Sequence, residues 1–188
     1  MAVKVENVAE LKALVAQEVE RVARLLIETS DWMADNPELG LQEHQASARL
    51  TALLDEFGAD VTHGIAGLPT AFEARLPGGT PGEGGKVAIV AEYDALPDVG
   101  HGCGHNIIAT AAIGAGIALS SLAGRLPGSV VVLGTPAEES AVPNAGGKAL
   151  LIGCPGAVAR VKTEESQDAQ GIFFYARGGR SDEPDSFS

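Results

Sequence analysis

The chain has 188 residues, of which 45% are hydrophobic and only 4% aromatic, and it carries a formal net charge of −12. That length allows one domain with a sizeable core, built from Ala, Val, Leu and Ile rather than rings. The acidity and the lack of a basic stripe argue against nucleic acid or an anionic membrane as the main partner. No uninterrupted apolar run reaches membrane-spanning length, and the amino terminus lacks the charged-then-apolar layout of a secretory signal. The expectation is a soluble, cytoplasmic protein. Its two cysteines, Cys103 and Cys154, show no oxidised framework, so Cys103 is read as reduced.

Residues 6–33 place Val8, Leu11, Leu14, Val15, Val19, Val22, Leu25 and Leu26 three and four apart, which predicts an amphipathic helix ended by Pro37. A turn over 36–40 leads to a second helical pattern, 42–57, closed by Gly58. Short strands are predicted at 60–62 and 70–75. His44 and His63 fall on this scaffold and are read as surface or packing residues. The breaker-rich stretch 77–85 reads as a loop; it lacks the lysine and hydroxyl spacing of a phosphate cradle.

The run 86–90 is β-branched and apolar, as in a buried strand of a parallel sheet. It opens into 91–106, A-E-Y-D-A-L-P-D-V-G-H-G-C-G-H-N, which puts Glu92 and Asp94 at the strand's carboxyl end, where open α/β sheets keep their ligands. His101, Cys103 and His105 alternate with glycines that let the backbone turn thiol and imidazole toward a common point. A cysteine and a histidine two apart are more often structural when taken alone. The context shifts this reading, because a second acidic pair, Glu138 and Glu139, follows another predicted strand, 129–134. Two strand ends of one sheet can bring these groups into one crevice, with one glutamate on a metal and its neighbour free for proton transfer. Between the strands, 106–122 is rich in small apolar residues, as in a helix packed closely on a sheet. Its start is expected to favour thiolate at Cys103. Residues 146–152 read as one or two helical turns, and 161–188 as a poorly ordered tail. The fold class is α/β, a mostly parallel sheet flanked by helices.

Four motifs in order, N-P-E-L-G at 36–40, E-Y-D-A-L-P at 92–97, H-G-C-G-H-N at 101–106 and P-A-E-E at 136–139, resemble those of M20-family metallopeptidases and amidohydrolases. The Glu-Tyr-Asp and Cys-Gly-His-Asn forms most resemble the branch of aminobenzoyl-glutamate hydrolases and M20 domain-containing protein 2 dipeptidases. The resemblance implies a hydrolase of amide or peptide bonds in dipeptides or N-acyl amino acids, with one or two divalent ions, Zn2+ or Mn2+. It implies Cys103, His105 and Glu139 as metal ligands, Glu138 as general base and Asp94 as the carboxylate orienting the metal shell. His101 would line the pocket or support a ligand.

The same resemblance implies a domain boundary: 1–160 as the amino-terminal part of the catalytic domain, and 161–188 as a tail outside the family pattern. Family members carry a lid or dimerisation domain and later histidine ligands, whereas the last histidine here is His105. The chain therefore reads as truncated. A non-catalytic fragment that binds metal, or a full-length relative, stands as the alternative to a working hydrolase.

Overall fold

The computed structural model describes residues 8–78, 86–126 and 128–139, together with the backbone of Ile172–Phe174. The elements are α1 (Val8–Asp35), α2 (His44–Glu56), β1 (Asp60–His63), a 3-10 turn (Ile65–Gly67), β2 (Phe72–Arg75), β3 (Lys86–Glu92), α3 (His105–Ser120), β4 (Ser129–Thr135) and β5 (Ile172–Phe174). The five strands form one sheet in the order β1-β2-β4-β3-β5. β3 runs parallel to β4 and to β5, while β2 pairs antiparallel with β1 and with β4. The sheet is thus mixed, with a parallel half built on β3–α3–β4 and an antiparallel flank. Of the stretches expected as loop, helical turns and tail, 79–85, 146–152 and 161–188 lie outside the described residues, as does Cys154. The exception is β5, which belongs to the last of these stretches.

Helix α3 is apolar on nearly every side because it is covered on both, by the sheet beneath and by α1 above. The main core gathers Leu50, Leu54, Phe72, Ile89, Ala109, Ile113, Ile117 and Val132 between the helices and one face of the sheet. Each fully buried Leu or Ile in it stabilises the fold by about 1.5–3 kcal/mol. The opposite face carries a smaller cluster of Ile65, Leu68, Ala71, Ala88, Val131 and Leu133. Along β4, Val131 and Leu133 thus face one way and Val132 the other, as the two-residue period of a strand requires.

Gly134 marks a close approach. A Cβ there would come within 2.1–2.7 Å of the ring of Phe72, its antiparallel register partner, so the strands can pair here only without a side chain. Tyr93 stacks on the same ring at 5.9 Å and donates its hydroxyl to the Thr70 carbonyl at 2.6 Å.

The register that matters most for chemistry is Glu92 opposite Thr135 in the parallel pair. It brings the loop leaving β3 and the turn leaving β4 side by side at one edge of the sheet. The 36–43 loop lies against them, with the Ala95 N–H donating to the Glu38 carbonyl at 2.8 Å. Glu38 also caps α2 from outside, its carboxylate accepting from the N–H groups of Gln45 at 2.9 Å and Ala46 at 2.8 Å. His44 and His63 are exposed. Among the described residues no helix is long and apolar enough to cross a membrane.

Candidate metal centre

The centre is assembled from the first residue of α3 outward. Gly104 precedes α3 with φ +80°, a left-handed conformation that side chains resist, and its N–H closes the loop by donating to the His101 carbonyl at 2.9 Å. That turn seats His105, buried, at the start of the helix. Nδ1 of His105 lies 2.9 Å from Asp94 Oδ1 and 3.0 Å from the Asp94 carbonyl. Both partners are acceptors, so Nδ1 carries the proton and Nε2 presents its lone pair.

Nε2 faces two further carboxylates, Glu92 Oε2 at 3.6 Å and Glu138 Oε2 at 3.8 Å. One donor atom from each of Glu92, His105 and Glu138 lies within 4.8 Å of the others. Two ionised carboxylates this close repel by on the order of 3–4 kcal/mol at an effective dielectric near 20, so the arrangement calls for a cation or a proton between them. Ligand atoms on a tetrahedral zinc, with bonds of about 2.0–2.1 Å, stand about 3.4 Å apart. The spacing and donor chemistry fit a divalent ion, with Asp94 supporting the histidine from behind as metal-binding imidazoles usually require.

Asp94 is the hinge of the site. Its second oxygen, Oδ2, accepts the Glu139 N–H at 3.0 Å, which ties the turn after β4 to the loop after β3. Burial pushes the Asp94 carboxyl up, but the hydrogen bond from His105 and the N–H groups of Glu139 and Glu138 overcome it and hold the pKa below the usual range. Burial likewise pushes His105 down, and the hydrogen bond and charge of Asp94, with the charge of Glu92, reverse the direction and raise it.

The two adjacent glutamates leave their turn in different directions, as a divided role requires. Glu138 points toward His105 Nε2, whereas the Glu139 carboxylate lies near the Cys103 thiol and raises its pKa. Cys103 and Glu139 therefore adjoin each other and Asp94, beside the three-donor group rather than within it. The expected preference for thiolate does not hold in this geometry. Burial raises the Cys103 pKa, and the nearby carboxylates of Glu139, Asp94 and Glu138 raise it further, outweighing the start of α3. A bound cation would reverse that balance.

His101 is half-buried. Its Nδ1 has no hydrogen-bond partner among the described residues, and burial with the nearby His105 lowers its pKa. Asn106 serves packing: its side-chain amide donates to the Ser30 hydroxyl of α1 at 3.0 Å. Sequence reasoning placed Glu92 at the strand end but gave it no ligand role, and it overlooked Glu43. This residue is buried at the start of α2, its Oε1 accepting the Ala137 N–H at 2.8 Å and its Oε2 the Thr70 hydroxyl at 3.0 Å.

Fold and site together give an α/β domain with a candidate cation site of carboxylates and imidazole at the carboxyl ends of two parallel strands. The profile of Peptidase family M20/M25/M40 matches residues 88–178. The chain is 40% identical over 152 residues to the Xaa-Arg dipeptidase of Mus musculus, covering 76% of this chain and 34% of the relative. It is 29% identical over 149 residues to one of the subunits of p-aminobenzoyl-glutamate hydrolase from Escherichia coli (strain K12), covering 69% and 30%. A Bacillus subtilis crystal structure, the YXEP protein, described as a dinuclear metal binding peptidase from the M20 family, superposes with a TM-score of 0.59 at 27% identity. That superposition covers 78% of this chain and 41% of the other. The chain belongs to the M20 peptidase family, and it spans about a third of the length of the curated relatives it matches.

Proposed function

We propose that this chain carries part of the metal centre of a hydrolase that cuts amide or peptide bonds in small substrates, dipeptides or N-acyl amino acids. One observation carries the reading: Asp94 fixes the tautomer of His105 so that Nε2 meets the carboxylates of Glu92 and Glu138 within 4.8 Å. The names of the similar proteins, a dipeptidase and an aminobenzoyl-glutamate hydrolase, support the substrate class.

His105 and Glu92 would hold a divalent ion, zinc or manganese. Cys103 and Glu139, near each other and near Asp94, are the donors for a second ion or for completing the first. Such an ion supplies positive charge that polarises a carbonyl and acidifies water. Within the chain, Glu138 acts as general base, taking the proton from the attacking water and handing it to the leaving amine. Its half-buried position beside His105 suits a group that must meet both water and substrate. Asp94 acts through its neighbours, holding the His105 ring and the Glu139 backbone in place.

A second reading is metal binding, or docking to a full-length relative, without turnover. Purified chain loaded with zinc or manganese and assayed on a dipeptide panel separates the two. Turnover abolished by Glu138→Gln supports hydrolysis, and stoichiometric metal uptake without turnover supports the binding role.

A further inference from the structure

We propose that Glu43 is a positioning residue of the metal centre: its buried carboxylate clips the loop before α2 to the turn after β4 and so sets where Glu138 and Glu139 point. The proposal rests on the reading of the centre given above and concerns a residue outside the group of Glu92, His105 and Glu138.

The turn after β4 is pinned at two places. Ala137 donates its N–H to Glu43 Oε1 at 2.8 Å, and Glu139 donates its N–H to Asp94 Oδ2 at 3.0 Å. Glu138 lies between the two pins. Ala137 is fully buried and has φ +55°, a left-handed conformation that a residue with a Cβ adopts only when its surroundings hold it there. On the other side, Leu41, two residues before Glu43, is left-handed too, at φ +66°, and its N–H dipole helps to hold the Glu43 pKa down. One side chain therefore joins a left-handed residue in the turn after β4 to a loop that carries another.

A carboxylate is a poor choice for filling this volume. Burial pushes the Glu43 pKa up, and the groups that oppose it are N–H and hydroxyl dipoles: its own N–H and those of Ala137 and Leu41, and the Thr70 hydroxyl. An apolar side chain of similar size would carry no such cost. What the carboxylate supplies instead is two acceptor oxygens aimed in different directions. Thr70 extends the clip, since its carbonyl also receives the Tyr93 hydroxyl at 2.6 Å and the Ser47 hydroxyl at 2.8 Å, from the loop after β3 and from α2.

The test compares the 188-residue chain with its variants Glu43→Ala, Glu43→Gln and the core control Leu54→Ala. Zinc alone is titrated calorimetrically, and amide exchange at Ala137 is followed by NMR in the metal-free chain. Glu43→Ala should weaken zinc binding about 10–100-fold, the range for partners behind metal ligands, and should open the Ala137 amide to exchange. Glu43→Gln should retain both properties, because its amide oxygen can accept from Ala137 and its NH2 can meet the Thr70 hydroxyl. Leu54→Ala should lower stability while leaving both unchanged in the folded fraction. Should Glu43→Ala not fold, Glu43→Asp, too short to reach Ala137, gives the same two readouts. The proposal is overturned if Ala137 stays as protected without the Glu43 carboxylate as with it, or if Leu54→Ala weakens zinc binding as much. If the parent itself takes up no zinc, the metal reading fails, and the Ala137 exchange result alone decides the clip.

Discussion

The two strand ends that meet at the centre are secured in different ways. After β3, the groups that matter sit on one short stretch: Glu92 ends the strand, Asp94 follows it, and His105 opens the next helix with its ring already bonded to Asp94. After β4, Glu138 and Glu139 depend on residues far away in the chain, Glu43 for the Ala137 amide and Asp94 for the Glu139 amide. The first half is built by local sequence and buried side chains. The second is held from outside, and Glu138 keeps more exposure, 18% against 3% for the His105 side chain. A buried His105 facing a less deeply buried Glu138 suits the proposed division, in which one partner holds charge and the other moves a proton.

The largest effect should come from breaking the fixed half. His105→Ala removes both the donor facing Glu92 and Glu138 and the partner of Asp94, so zinc affinity by calorimetry should fall by more than the roughly 100-fold typical of a supporting residue. Asp94→Asn should be milder, about 10–100-fold, because the ring loses its charged partner while Nε2 remains. Asn106→Ala, which touches only the α1–α3 contact, should leave zinc affinity unchanged. Equal losses for all three variants would erase the distinction drawn between the platform and its surroundings.

Gly134→Ala probes the β4 side through packing. The added methyl meets the Phe72 ring, itself buried and stacked on Tyr93, and should cost about 1–3 kcal/mol in chemical denaturation. Unchanged stability would mean that the strands can part there without cost.

The smallest expected effect is on pH dependence, read in chelator-treated chain. His105 has a raised folded-state pKa, so its contribution to stability is full below its unfolded value, about 6.5, and is lost as pH rises through the folded value. Asp94 has a lowered one, so its contribution is full above its unfolded value, about 4, and is lost as pH falls through the folded value. The pair therefore supports the fold most between about pH 4 and 6.5. Thermal melts of the parent should show that window, and Asp94→Asn should flatten it.

How much was legible beforehand follows the same division. The helices and β1–β4 announced themselves through apolar spacing, and their bounds moved by only a few residues, α1 running to Asp35 rather than 33 and β3 continuing to Glu92, whereas β5 lies in a stretch read as a poorly ordered tail. The carboxylates and imidazole of 92–105 could be found because a strand end, glycines and donors follow one another closely. Without a cation the Cys103 thiol is not favoured as thiolate, since the helix start beside it is local, whereas the carboxylates that raise its pKa include two from after β4. Glu43 gave no signal, being one more acid at the start of an amphipathic helix.

Sequence alone determined that α1 to α3 become helices and β1 to β4 strands, since residue spacing and backbone preference act over a few positions, and it determined which donors cluster within 92–105. Tertiary structure decided the rest. The parallel register of Glu92 with Thr135 put two acidic loops at one sheet edge, and the fold carried Glu43 to an amide 94 positions away. Such contacts are chosen by the packing of the whole core, so no stretch of sequence contains them.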